Sequence, residues 1–348
     1  MKAYILGAGA SAHAGYPLAS DLLKALSEWL DLADASEHWV GVCRNRIVQV
    51  RETFGELDDF EGILRKLDAY GFKRVKPTGA TTYRLNSIDI LHDCAERIGN
   101  ADAGDADVPA QGFYPQYLRS DLIMAVREFF YWIEQNRSGG VPYEGFARKI
   151  DQDSLVITLN YDLALERALA KEGKWDIGTG YGFTAFADRS ASPTAIYKLH
   201  GSVNWFKAPQ QENPPPIMFA RDLTLLGYED LVDPRVGSNG VGVDNAGTLI
   251  LPDPQKKFFW EPFWSPLWGA AAQRLREARE VFIQGYSMPA ADVKARELLF
   301  GNINSEAAIH IHCRSTSDRL AAEFLDRGFA NVKSFPAVGF EAWAAAEV

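Results

Sequence analysis

Two kinds of apolar pattern alternate along most of the chain. Short apolar runs occur at Ala3-Tyr4-Ile5-Leu6, Leu155-Val156-Ile157-Thr158 and Ala195-Ile196-Tyr197-Lys198. They recur at Thr248-Leu249-Ile250-Leu251, Val281-Phe282-Ile283-Gln284 and Ala308-Ile309-His310-Ile311-His312, and a last strand is expected near Asn331 to Phe335. Their length and their β-branched and aromatic content predict strands, and unbroken apolarity predicts burial on both faces. Between them the apolar positions follow helical spacing: about Leu18 to Leu32, with Leu22, Leu23, Leu26 and Leu30 as its stripe, then Leu163 to Leu169 closed near Gly173. Pro266 to Arg279, Asp292 to Leu299 and Arg319 to Phe324 follow the same rule. This alternation predicts an α/β fold, a Rossmann-like, mostly parallel sheet with helices on both faces.

Two stretches break the pattern. From about 36 to 147 no strand is legible, whereas Phe60 to Leu67 and Leu122 to Ile133 read as amphipathic helices around a small acidic loop, Asn100 to Gly112. The expectation is an inserted helical module at 36–147, with 1–35 and 148–348 forming the Rossmann-like domain. The segment from about Lys207 to Ala246, with Pro214-Pro215-Pro216 and several glycines, reads as a long irregular surface excursion. No internal repeat is visible.

Composition narrows the classes. A chain of 348 residues, 47% hydrophobic, can bury the core of one large domain or two modest ones. A formal charge of −10 opposes broad attraction to nucleic acid or anionic membranes, so neither is an expected partner. No apolar stretch reaches bilayer length, and the N-terminal run lacks the regions of a signal peptide. Cys43, Cys94 and Cys313 are scattered and odd in number, which suits a reducing cytoplasm and cannot build a four-cysteine zinc site. A cytoplasmic protein without a metal is the expectation.

Three polar patches follow strands, where open parallel sheets gather their ligands. The first, Gly7-Ala8-Gly9-Ala10-Ser11 followed by Ala12, fits the dinucleotide fingerprint: glycines allow a tight turn and close approach of an anion to a helix N-terminus, with Ser11 as a further donor. A tight strand-to-helix turn needs glycine for backbone reasons as well. No acidic residue ends a second strand about twenty residues on, which disfavours a hydride-transfer dehydrogenase. The second patch is Leu159-Asn160-Tyr161-Asp162. One of its two polar residues suffices to cap a helix; an amide and a carboxylate together suit a water or ribose hydroxyl. The third is Leu199-His200-Gly201-Ser202. An unperturbed histidine titrates near neutrality, so His200 is a candidate to take a proton from a ribose hydroxyl, or else a satisfied buried histidine. For His13, His38, His92 and His310 a structural or surface role is the expectation.

In this order the patches resemble the sirtuin family, which reads Gly-Ala-Gly-x-Ser, Thr-Gln-Asn-x-Asp and His-Gly, with Leu159 here in place of Gln. Nearer still is the resemblance to sirtuin-like domains of bacterial anti-phage systems, with Asn-Tyr-Asp and Leu-His-Gly-Ser. Gly285-Tyr286-Ser287-Met288, followed by Asp292, is similar to that group's Gly-Tyr-Ser motif, which implies that Gly285 and Ser287 touch the adenosine half of NAD⁺. The resemblance spans about 1–30 and 150–345. It lacks the paired Cys-x-x-Cys of deacetylating sirtuins, and Leu18-Ala19-Ser20-Asp21 stands where these carry Asp-Phe-Arg.

The resemblance implies an NAD⁺ glycohydrolase. Gly7, Ala8, Gly9 and Ser11 would hold the diphosphate, and Asn160, Asp162 and His200 would act at the nicotinamide ribose. It implies an effector of abortive infection and a partner such as a HerA-type ATPase or another phage sensor; the aromatic run Phe258 to Trp268 and the helical insert at 36–147 make a homo-oligomer the expectation. The rival readings are an NAD-dependent deacylase or ADP-ribosyltransferase, and a non-catalytic sensor of NAD or ADP-ribose. The aromatic run Phe258 to Trp268 is expected to pack beneath the excursion, or else to form an interface.

Overall fold

The computed structural model describes residues 1–32, 44, 48, 115–136, 141–151, 153–176, 180–181, 194–207, 217–220, 231–232, 249, 264–290 and 292–346. Among these, strands β1 (Lys2–Leu6), β2 (Leu155–Thr158), β3 (Ala195–Lys198), β4 (Trp205–Lys207), β5 (Ile217–Ala220), β6 (Leu231–Val232), β7 (Glu280–Gln284), β8 (Ala308–His312) and β9 (Asn331–Ser334) form two sheets. The helices are α1 (Ala8–Ser11), α2 (Leu22–Leu32), α3 (Pro115–Asn136), α4 (Val141–Lys149), α5 (Ala164–Lys171), α6 (Trp264–Leu275), α7 (Val293–Asn302), α8 (Ser317–Asp326) and α9 (Phe340–Ala345).

The main sheet has six parallel strands in the order β3-β2-β1-β7-β8-β9. Counting only its own strands this is 3-2-1-4-5-6, the Rossmann order, with the reversal of direction beside β1. The predicted α/β class and its parallel sheet are what the chain adopts. The inner strands β1 and β2 are short and apolar because helices cover both faces, whereas the edge strand β9 is polar and half exposed. All four residues of β2 are buried, as are Ala3, Tyr4, Ile5 and Leu6 of β1. On one face Tyr4 meets Phe146 of α4 edge-on at 5.2 Å and stacks on Phe282 at 5.1 Å, with Trp343 of α9 at 6.0 Å. Against β2 and β3 lies α6, whose Trp264, Leu267, Trp268 and Leu275 are buried. Each large side chain so buried contributes roughly 1.5–3 kcal/mol.

The segment after β3 differs from the irregular excursion expected of it. β4, β5 and β6 form a small antiparallel sheet, Trp205 facing Phe219 and Phe219 facing Val232. Strands of two to four residues are too short to show a period, so Pro and Gly dominate the reading. Of the strand expected at 248–251 only Leu249 is described, bridged antiparallel to Gly201. The six-residue α9 escaped notice for the same reason. Trp264 and Trp268 belong to the core rather than to a surface patch: Trp264 lies 6.2 Å from Trp205, and the Trp268 indole donates to the Leu199 carbonyl at 3.2 Å. The rest of that aromatic run, Phe258 to Phe263, lies outside the described residues, as do most of the 36–114 stretch, Cys43, Cys94, His38 and His92. No described helix is long and apolar enough to cross a membrane.

Candidate active site at the carboxyl edge of the sheet

One register row crosses five strands at their carboxyl ends. Lys198 of β3 pairs with Thr158 of β2, Thr158 with Leu6 of β1, Leu6 with Gln284 of β7, and Gln284 with His312 of β8. The chain therefore leaves all five strands at one level, and the segments that follow emerge side by side around the switch point. There they line a single cavity of about 670 Å³, within the usual range for a small-molecule site. Gly7, Ala8, Gly9, Ser11, Asn160, Asp162, His200, Gly285 and Ser287, from four separate stretches of sequence, all line it.

The glycines have a cause in the fold itself. The loop after β1 crosses the loop after β7 backbone to backbone: Gly7 N–H donates to the Gln284 carbonyl at 3.1 Å, and Gly9 N–H to the Gly285 carbonyl at 2.9 Å. A Cβ on Gly7 would stand 2.6 Å from the Tyr286 Cα, and one on Gly285, where φ is +60°, 2.3 Å from the Ala10 nitrogen. Ala10 N–H donates in turn to the Gly7 carbonyl at 2.8 Å. Three amides of the loop are thus committed to holding it in place, while Ala8 and Ser11 also face the cavity.

Asn160 is locked by its own amide. Nδ2 donates to the Gly7 carbonyl and to Ser11 Oγ, both at 2.9 Å, and the Asn160 N–H donates to Thr158 Oγ1 at 3.1 Å. Both Nδ2 protons being engaged, the carbonyl Oδ1 is the end left for a ligand hydroxyl or water. Ser11 Oγ also bonds Tyr143 Oη at 2.9 Å, and burial holds the Tyr143 phenol well above its usual range, so it stays protonated. Asp162 stands one residue before the N-cap, Leu163, and its Oδ1 accepts the Ala164 N–H at 3.0 Å. Its Oδ2 is buried with no hydrogen-bond partner among the described residues.

His200 is nearly buried and its Nε2 stands 3.8 Å from Asp292 Oδ2, which also accepts from Tyr286 Oη at 2.6 Å. That carboxylate is placed to stabilise an imidazolium once His200 has taken a proton. Asp292 and Tyr286 also line the cavity, site residues for which the Gly285–Asp292 stretch is the sequence signal. Beneath the site, the buried Lys198 ammonium pairs with Glu166 at 2.8 Å and donates to the Asp162 carbonyl, tying the end of β3 to the loop after β2. Burial raises the Glu166 carboxyl, and Lys198 opposes that.

The far end of the cavity is built by His312 at the end of β8 and by Cys313, Arg314, Ser315 and Thr316 after it. Burial pushes His312 down to about 4, so it is neutral, and it stacks flat on Phe335 at 4.5 Å. Burial pushes the Cys313 thiol up to about 11; it donates to the Tyr286 carbonyl at 3.2 Å. His13 packs against Tyr143 and Phe340 and His310 against Phe282, both structural as expected. No cluster of metal-ligating side chains occurs among the described residues.

Residues 154–311 match the family described as SIR2-like domain, a span holding Asn160, Asp162, His200, Gly285 and Ser287. A solved structure described as a Sir2 homolog–NAD complex aligns over 98% of this chain and 85% of its own, at 12% identity and a TM-score of 0.38. That likeness is distant. No curated protein matches the chain. Over residues 154–311, therefore, the chain is similar to the SIR2-like family.

Proposed function

We propose that this chain binds NAD⁺ and cleaves it to nicotinamide and ADP-ribose. The observation that carries the reading is the shared register row: it brings the Asn160 amide and Asp162 carboxylate after β2 and His200 after β3 into one cavity beside the glycine loop after β1. In the reaction the bond from nicotinamide N1 to the anomeric carbon breaks with both electrons leaving on nicotinamide. A water oxygen bonds to that carbon, and the water loses a proton. Asn160 Oδ1 accepts a hydrogen bond from the water or a ribose hydroxyl and fixes its position. His200 takes a proton as general base, with Asp292 offsetting the new positive charge. Holding these groups at fixed distances before the reaction is the main service of the fold.

The absence of paired cysteines from the sequence and the Leu18–Asp21 stretch favour water over an acyl-lysine as the nucleophile. An effector that depletes NAD⁺ in abortive infection, held quiet until it assembles or meets a partner such as a HerA-type ATPase, is the physiological role that accords with this chemistry. The test is incubation of purified protein with NAD⁺, with and without an acylated peptide. Free ADP-ribose and nicotinamide in both mixtures support the reading. Acyl transfer that requires the peptide, or binding without turnover, overturns it.

A further inference from the structure

Helix α3 touches the segments that follow β1, β2 and β3, and it does so with one stripe. Arg127, Phe130 and Glu134 follow the three-then-four spacing that puts side chains on one face of a helix. Arg127 Nε donates at 3.2 Å to the carbonyl of Val203, three residues beyond His200. Phe130 meets Tyr161 edge-on at 5.7 Å and Tyr16, beyond the glycine loop, at 5.2 Å. Glu134 accepts the Leu163 N–H at 2.9 Å, and also the Tyr16 hydroxyl and an Arg167 N–H. Glu134 is fully buried and Arg127 nearly so. The loops are joined to each other as well, since Val203 N–H donates to the Tyr161 carbonyl at 3.0 Å.

Helix α5 therefore receives its N-terminal bonds from two sources. Asp162 satisfies Ala164 from within the loop, and Glu134 satisfies Leu163 from another helix. A helix start leaves amides that need such partners, and a buried carboxylate needs such donors, so each side stabilises the other. Tyr16 and Phe130 are at once wall residues of the cavity and members of this contact.

We propose that Glu134 and Arg127 are positioning residues for the cleavage of NAD⁺, through which the seating of α3 sets the distance between the Asn160 and His200 loops. Neither side chain lines the cavity, and both act on the backbone of loops that do. An event that lifts α3 would loosen both loops together. The inference rests on the NAD⁺ reading for its kinetic half.

Glu134→Gln keeps the shape and removes the charge; Arg127→Met removes the bond to Val203. The measurements are NAD⁺ affinity by calorimetry, kcat for nicotinamide release, and amide hydrogen exchange. Expected in each variant is a Kd within about threefold of the parent with kcat lower by about tenfold to a hundredfold, since small misplacements of reacting groups cost that much. A folded variant with kcat within about twofold of the parent overturns the proposal. So does a kcat loss matched by loss of binding, which marks a merely structural contact. Should Glu134→Gln fail to fold, Arg127→Met decides alone. If the parent neither binds nor cleaves NAD⁺, the functional reading fails by itself. Exchange then tests the mechanical half: Glu134→Gln must speed exchange at both Tyr16 and Leu163, and unchanged exchange overturns it.

Discussion

Asn160 and Asp162 stand two residues apart, yet their surroundings give them different tasks. Asp162 spends one oxygen on the Ala164 N–H, as its residue type foretold, whereas Asn160 caps nothing and is pinned by Gly7 and Ser11. Sequence made both candidates because each patch follows an apolar run. It could not show that the Asn160 amide points its donors inward, since those acceptors come from 149 and 153 residues away. Asp292 was hidden in the same way; its distance to His200 exists only in three dimensions. His312 carries a prediction at this scale. Burial keeps it neutral down to about 4, while in the unfolded chain it protonates near 6.5, with His310 beside it shifted the same way. The unfolded state thus gains protons first as the pH falls, so the stability from this group is complete above about 6.5 and lost between 6.5 and about 4. Melting temperatures from pH 7.5 to 4.5 should fall less steeply in His312→Gln than in the parent. Equal slopes would mean that His312 is not held neutral.

At the scale of elements, the decisive contact is the crossing of the loops after β1 and β7. Gly285 has φ +60° and no room for a Cβ, whereas Gly328, at φ +88°, meets nothing within 4 Å. Both positions strain an alanine, but only one collides. Gly328→Ala should cost about 1 kcal/mol and Gly285→Ala clearly more, of order 3 kcal/mol, read from urea midpoints. Equal losses would contradict the close crossing. The inner strands of the main sheet were legible because burial on both faces writes them as apolar runs, whereas the edge strand β9, Asn331–Ser334, is polar and half exposed and was marked only by its place after a helix. Helices such as α2 and α5 were legible because one face is buried and the period shows. The three short strands β4 to β6 and the helix α9 span too few residues to display a period, and tertiary contacts alone define them.

For the molecule as a whole, the Rossmann order places the switch point beside β1 and the chemistry around it, which alternation of apolar patterns forecast in kind though not in strand order. Assembly is a separate matter. Trp264 and Trp268 are core residues, so Trp268→Ala should destabilise the folded chain by roughly 3–5 kcal/mol rather than alter self-association. Light scattering on the variant and the parent, at equal folded concentration, checks this; a change of oligomer with unaltered stability would contradict it. The central claim is that the convergence of strand ends is a site for cutting NAD⁺. Nicotinamide release under saturating NAD⁺ tests it most directly, compared among the parent, Asn160→Ala and His200→Ala, each confirmed folded by its melting transition. The account predicts steady release by the parent and losses of about a hundredfold or more in each variant. Parent-like release by both folded variants, or none from a parent that binds NAD⁺ in its assembled form, would contradict it.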